Sequence, residues 1–235
     1  SGAQTPEPWA SVGERQPAGL ACDERGRLFV AIYSVRDGSK PMVMRIDAKD
    51  AAPVALPAPS ESSLLSGYNG IVAIPGLGVY ATDSAAGWIV RYRESNAGMF
   101  SAEIVARDIL LANGLAYDSN KRALYVASSL SFAVFSLQVA ESGSLIGKRE
   151  VQTLARAFFD GVAVDENGEV YAADYSGGAL VRLSDGKSLA KIASPASLAF
   201  RGGTLLVSDY RLNDPAMEGG LYALDLGVCG ALSLR

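Results

Sequence analysis

Histidine is absent from the 235-residue chain. That excludes a Ser-His-Asp triad, a Cys-His dyad, and any site in which imidazole holds zinc or iron. Cysteine occurs twice, as Cys22 and Cys229. Two thiols near opposite ends cannot build a four-ligand zinc cluster. Excess charge of one sign is also lacking: 21 Lys and Arg stand against 25 Asp and Glu, for a net charge of −4. No basic stripe suits nucleic acid, and no polybasic patch suits a membrane surface. Apolar runs stay well short of the ~20 residues of a spanning helix. Sustained 3.6-residue periodicity with caps is missing too, so helix should be scarce. The stretch Ser1–Pro8 has neither a charged nor an apolar leader region and reads as a loose, mature or trimmed terminus. A periplasmic or extracellular place is expected on this reading, with a cytoplasmic one left open.

What is present is a repeat. Phe158-Phe159-Asp160-Gly161-Val162-Ala163-Val164-Asp165-Glu166-Asn167-Gly168-Glu169-Val170-Tyr171-Ala172-Ala173-Asp174 reads as two short strands around a tight Asn-Gly turn. A carboxylate, Asp160, stands at the head of the first strand, followed by a glycine that allows close backbone approach. Related units start at Ala18-Gly19, Asn69-Gly70, Asn113-Gly114 and, more weakly, Ala196-Ser197. The five heads at 18, 69, 113, 160 and 196 are 51, 44, 47 and 36 residues apart. A period of roughly 40–50 residues with four strands per repeat is the signature of a propeller. The fold class expected is therefore all-β, a β-propeller of four-stranded antiparallel blades. Five blades are favoured over six, because six need roughly 270 residues at this period. Residues 9–235 should form one domain behind a tail at 1–8.

Third strands are expected at Met42–Asp47, Trp88–Tyr92, Phe132–Leu137, Ala179–Leu183 and Leu221–Asp225, and weaker fourth strands at Pro53–Leu56, Ile104–Ala106, Val151–Leu154 and Leu189–Ile192. Ala140–Arg149 reads as a polar connection. Trp9–Val12 stands where a fourth strand would precede the first motif, and is expected to pair with the last blade and close the ring; Ala231–Arg235 is the alternative. Cys22 and Cys229 either staple the first and last blades as a disulfide or remain two free thiols. Asp83, Asp174 and Asp209 share the end of the second strand and are expected to bind neighbouring backbone. Phe29, Tyr80, Tyr125 and Tyr171 share one strand position and should be core. Phe158 and Phe159 fit either a pocket wall or packing between blades.

At Asn113-Gly114-Leu115-Ala116-Tyr117-Asp118 and Phe159-Asp160-Gly161-Val162-Ala163-Val164-Asp165, the chain resembles the SMP-30/gluconolactonase/LRE-like family, and the likeness runs nearly end to end. The resemblance implies a propeller, six-bladed in most members, with a divalent metal, usually calcium, at the mouth of its channel. It implies that Asp160 is both metal ligand and catalytic base, that Asn113 is an amide ligand, and that Asn69, or a register shift to Tyr68, gives a third polar position. The family's first-motif glutamate is Ala18 here, which removes an anionic ligand and predicts a weak site. The activity implied is metal-dependent hydrolysis of small lactones or esters by a monomer. The alternative is a non-catalytic propeller that binds a small ligand or a protein partner on its loop face.

Overall fold

The computed structural model describes residues 7–35, 40–61, 65–210 and 219–231. Short antiparallel strands account for nearly all its regular structure, because alternating Val, Leu, Ile, Tyr and Ala with Gly-rich turns favours pleated hairpins. The first blade is β1 (Arg15–Cys22), β2 (Leu28–Val35), β3 (Val43–Ile46) and β4 (Val54–Ala55). The second is β5 (Tyr68–Ile74), β6 (Gly78–Asp83), β7 (Trp88–Glu94) and β8 (Phe100–Ala106). The third is β9 (Ala112–Asp118), β10 (Ala123–Ser128), β11 (Ala133–Val139) and β12 (Leu145–Thr153). The fourth is β13 (Phe159–Val164), β14 (Val170–Asp174), β15 (Ala179–Arg182) and β16 (Lys187–Lys191). The fifth is β17 (Pro195–Arg201), β18 (Thr204–Asp209) and β19 (Gly220–Asp225). Four blades are four-stranded and, among the described residues, the fifth has three strands. The five-blade propeller expected from the repeat is thus present. The only helical element among the described residues is a 3-10 turn at Ser129–Ser131, and none is long and apolar enough to cross a membrane.

The core lies between blades. Phe29, Tyr80, Tyr125 and Tyr171 are buried as expected, and Phe159 is wholly buried between the third and fourth blades. The aspartates at the ends of the second strands bind backbone. Asp83 accepts from the Gly67 and Ala86 amides, Asp174 from Gly177, and Asp209 from Ser194. At the turn after β13, Asp165 takes the amides of Asn167 and Glu169 and the Tyr171 hydroxyl.

Inner strands pack in series, β1 on β5, β5 on β9, β9 on β13 and β13 on β17, but no comparable packing joins β17 to β1. Among the described residues the ring is open at that junction. Leu20 on β1 is 63% exposed and Leu221 on β19 is 71% exposed. A cavity of about 500 Å³ occupies the channel, lined by all five inner strands from Leu20–Cys22 round to Leu198–Phe200.

Three expectations need correction. Trp9–Val12 is neither a strand nor part of the last blade. The Asp50 amide donates to Trp9 O, while Ala10 and Val12 cover Val30, Ile32, Met44 and Ile46 on the first blade. Those residues form an apolar face of the blade that no neighbouring blade buries among the described residues. Of the alternative, Ala231–Arg235, only Ala231 is described, and it does not join the fifth blade. Gly230 bridges to Asp165 and the Ala231 amide donates to Val164 O, both on the fourth blade, and residues 232–235 lie outside the described residues. Finally, Leu145–Arg149 is the first half of β12, an exposed outermost strand whose polar sequence hid it. Cys22 and Cys229 are free thiols.

Candidate active site

Each inner strand carries near its start the residue pair singled out by the repeat, and in the first four the structure shows why the second residue is glycine. A Cβ on Gly19 would lie 2.2 Å from Asn69 O. On Gly70 it would lie 2.3 Å from Asn113 O, on Gly114 2.6 Å from Asp160 O, and on Gly161 2.3 Å from Ala196 O. Each strand therefore lays its glycine against the carbonyl of the next strand's head residue. This chain of contacts fixes the register: Ala18, Asn69, Asn113, Asp160 and Ala196 are equivalent and ring one mouth of the channel. It places Asn69, rather than Tyr68, at the third polar position; Tyr68 is buried against Tyr92.

Hydroxyls at the ends of the second strands tie the heads together. Thr82 Oγ1 donates to Asn113 O at 2.8 Å and accepts from the Gly70 amide. Ser84 Oγ donates to Ala112 O. Ser129 Oγ donates to Phe159 O at 2.6 Å. With its proton committed there, Ser129 can only accept from its other neighbour, and Asn113 Nδ2 donates to it at 3.2 Å. That contact orients the Asn113 amide toward the Asp160 carboxyl, whose charged form it favours. Ser129 escaped the sequence reading, because it lies outside the repeat motif in a short turn with no charge or metal-ligand pattern.

Asp160 is partly buried. Desolvation of its carboxyl pushes the pKa up to about 6, and the Asn113 hydrogen bond pulls the other way without cancelling it. Asn113 is buried, and its Oδ1 has no hydrogen-bond partner. An orphaned buried oxygen is costly unless something outside the protein's own bonds satisfies it. The structure thus joins Asp160 and Asn113 directly. Asn69 stands on the next inner strand, half-buried, and no hydrogen bond joins its side chain to the pair among the described residues. No group of three or more Cys, Asp or Glu gathers as a metal cluster among the described residues. The oxygens at this mouth, one carboxylate and two amides, fit a hard divalent cation such as calcium and not a thiophilic metal. The cavity in the channel lies deeper, beyond the ring of head residues. At that far end Arg27 binds Glu94 and Asp23 in a cross-blade network.

Residues 76–210 match the SMP-30/gluconolactonase/LRE-like region. A curated relative, the 6-deoxy-6-sulfogluconolactonase of Pseudomonas putida, is 28% identical over a 151-residue alignment that covers 57% of this chain and 52% of the relative. The chain thus spans about half the length of that relative. Among solved structures, a putative gluconolactonase aligns with a TM-score of 0.70 at 19% identity, over 94% of this chain and 77% of that one. A chain of a nidogen/laminin complex aligns with a TM-score of 0.71 at 16% identity, over 93% and 79%. Likenesses at this identity show the propeller fold alone. The family match spans more than half of the chain and contains both Asn113 and Asp160, and on that ground the protein belongs to the SMP-30/gluconolactonase/LRE-like family.

Proposed function

We propose that the protein hydrolyses small lactones or esters at the channel mouth, with Asp160 as general base. One observation carries the reading: a carboxylate with its pKa raised to about 6 sits beside a buried amide oxygen that has no partner. A base of that pKa is largely ionised at neutral pH and still basic enough to take a proton from water. Water oxygen adds to the lactone carbonyl carbon and its proton passes to Asp160. The ring C–O bond then breaks, and the departing ring oxygen takes that proton back, leaving a hydroxy acid. Asn113 holds the carboxylate in place, and Ser129 holds Asn113.

Asp160, Asn113 and Asn69 would hold a divalent cation, calcium being the best match to their oxygens, and such an ion supplies Lewis acidity to a carbonyl oxygen. Only one of the three ligands is anionic, so occupancy should need about millimolar calcium. The names of the family and of the sulfogluconolactonase relative support the reading. Ala18 and Ala196, which leave the ring with a single carboxylate, favour the second reading, a non-catalytic propeller that binds a ligand on its loop face.

The test is hydrolysis of small lactones followed by pH-stat, with calcium titration by calorimetry. The parent should hydrolyse, Asp160→Asn should not, and Ala18→Glu should bind calcium at least tenfold tighter. A parent that shows neither hydrolysis nor calcium binding would hand the site to the binding-module reading.

A further inference from the structure

The loops around Asn113 and Asp160 carry apolar side chains that are exposed or half-buried. Leu110 stands three residues before Asn113, with its carbonyl held by Ser128 Oγ, and is 60% exposed. Leu130 is in the 3-10 turn beside Ser129 and is 55% exposed. Phe158 stands two residues before Asp160, and its ring meets Tyr175 edge-on at 6.3 Å between centroids. The Phe158 amide is pinned by Ser176 Oγ, which in turn donates to Arg156 O.

These loops are also strained. Asp108, Leu111, Phe132 and Arg156 have φ of 58°, 51°, 54° and 70°, a left-handed region that bulky side chains seldom adopt. Strain of this kind persists where the surrounding structure enforces it, often beside a site. Here it holds the short turns that carry Leu110, Leu130 and Phe158.

Charge on the same loops is engaged in part, with Asp108 and Arg156 exposed. Arg107 pairs with Glu61 at 2.7 Å and lies over the Trp88 ring, and the Asp108 carbonyl takes Lys148 Nζ. A polyhydroxylated or sulfonated lactone, such as the relative's name describes, needs converging donors and acceptors, because polar groups left unpaired on binding oppose it. The rim beside Asp160 offers the alkyl and aromatic carbon of Leu110, Leu130, Phe158 and Tyr175, with Arg156 exposed at its edge.

We infer that the substrate carries an apolar substituent, an alkyl or aryl group on the lactone ring, which lodges on Leu110, Leu130, Phe158 and Tyr175 while the ring faces Asp160. This inference rests on the lactonase reading. It is tested with a series of δ-lactones bearing side chains of one to seven carbons, with glucono-δ-lactone for comparison. In parallel, calorimetry measures binding of the matching δ-lactams, which resist hydrolysis. Specificity, kcat/KM, should rise roughly twofold to threefold per added methylene over the first few carbons, as partial burial of each CH2 implies. Glucono-δ-lactone should be the poorest substrate. Leu130→Ser and Leu110→Ser should flatten the dependence on chain length. Lactams should bind more tightly with chain length, in step with the lactones.

The outcomes separate the two claims. Chain-length-dependent lactam binding without any hydrolysis upholds the apolar rim and removes the hydrolase. Hydrolysis that favours glucono-δ-lactone, or is indifferent to chain length, upholds the hydrolase and overturns the rim. Lactam binding that is absent, or unchanged in both serine variants, overturns the rim as well.

Discussion

The four junctions from the first blade to the fifth differ from the junction between the fifth blade and the first. At each of the four, a glycine admits the neighbouring strand's carbonyl to within 2.2–2.6 Å of where a Cβ would stand. At the open junction the equivalent residue is Ser197, which is exposed. Its amide donates to Ser208 Oγ, much as the Gly70 amide donates to Thr82. Thr82, however, passes a hydrogen bond on to the next blade, and no such bond leaves Ser208 among the described residues. Closure is a chain of backbone contacts, and it stops where the side chain begins. Asp160 and Asn113 sit on adjacent strands that do not border the opening, in the part of the ring where both neighbours are tightly docked.

The largest effect should come from breaking a tight junction. Gly114→Ala and Gly161→Ala force a Cβ against fixed backbone, and each should cost about 3 kcal/mol or more of unfolding free energy. Ser197→Gly should change it by less than about 1 kcal/mol. Urea unfolding of the three variants checks the contrast; a marked gain in Ser197→Gly would mean that backbone presses on that position as it does at the other junctions.

Asp160→Asn should move the other way. The folded pKa of about 6 lies above the ordinary carboxylate value of 3.8. The folded state then holds the proton more tightly than the unfolded chain, and stability falls as pH rises from near 4 to near 6, then levels off. Above that window the ionised carboxylate costs roughly 1–3 kcal/mol, and the neutral amide should recover much of it. In metal-free protein at pH 8, Asp160→Asn should therefore melt higher than the parent although it loses hydrolysis. A lower melting temperature would mean that the carboxylate is satisfied and its pKa is not raised.

A smaller effect is expected at the first junction. Arg27 binds Glu94 of the second blade and Asp23 of its own, and lies over the rings of Phe29 and Phe100. Arg27→Ala should cost about 1 kcal/mol, modest because the network is partly solvated. The Arg27 hydrogen bond holds the Glu94 carboxyl below its ordinary value. That contribution is present above the ordinary carboxylate pKa and lost as pH falls through the lowered one. The destabilisation measured for Arg27→Ala by urea unfolding should thus shrink in acid; a loss that does not change with pH would assign it to ring packing.

The smallest effect concerns the thiols. Cys22→Ser and Cys229→Ser should each leave the melting temperature within about 2 °C of the parent, since neither thiol is bonded. A large drop for both would indicate a disulfide across the opening.

The repeat made the blades and the ring of head residues legible, because an Asn-Gly or Asp-Gly pair at a strand head is fixed locally by the contact its glycine must make. It left the register at Asn69 open by one residue, and only the carbonyl-to-glycine contact decided it. Closure was misread at Trp9–Val12. An apolar strand-like segment fits any uncovered sheet face, and the nearest uncovered face belonged to the first blade. Ser197 in place of glycine was the one local sign that the fifth junction differs. Ser129 was illegible because its role depends on two partners, Phe159 O and Asn113, that only the fold brings to it. The raised pKa of Asp160 comes from burial, which no motif specifies.

The measurement that bears most directly on the account is the pH dependence of kcat/KM for a δ-lactone carrying a short alkyl chain, in parent and Asp160→Asn protein with saturating calcium. The rate should fall as pH drops through about 6, or lower where bound calcium favours the ionised carboxylate, and the variant should show no enzymatic rate above background at any pH. Equal rates in the two proteins would contradict this expectation.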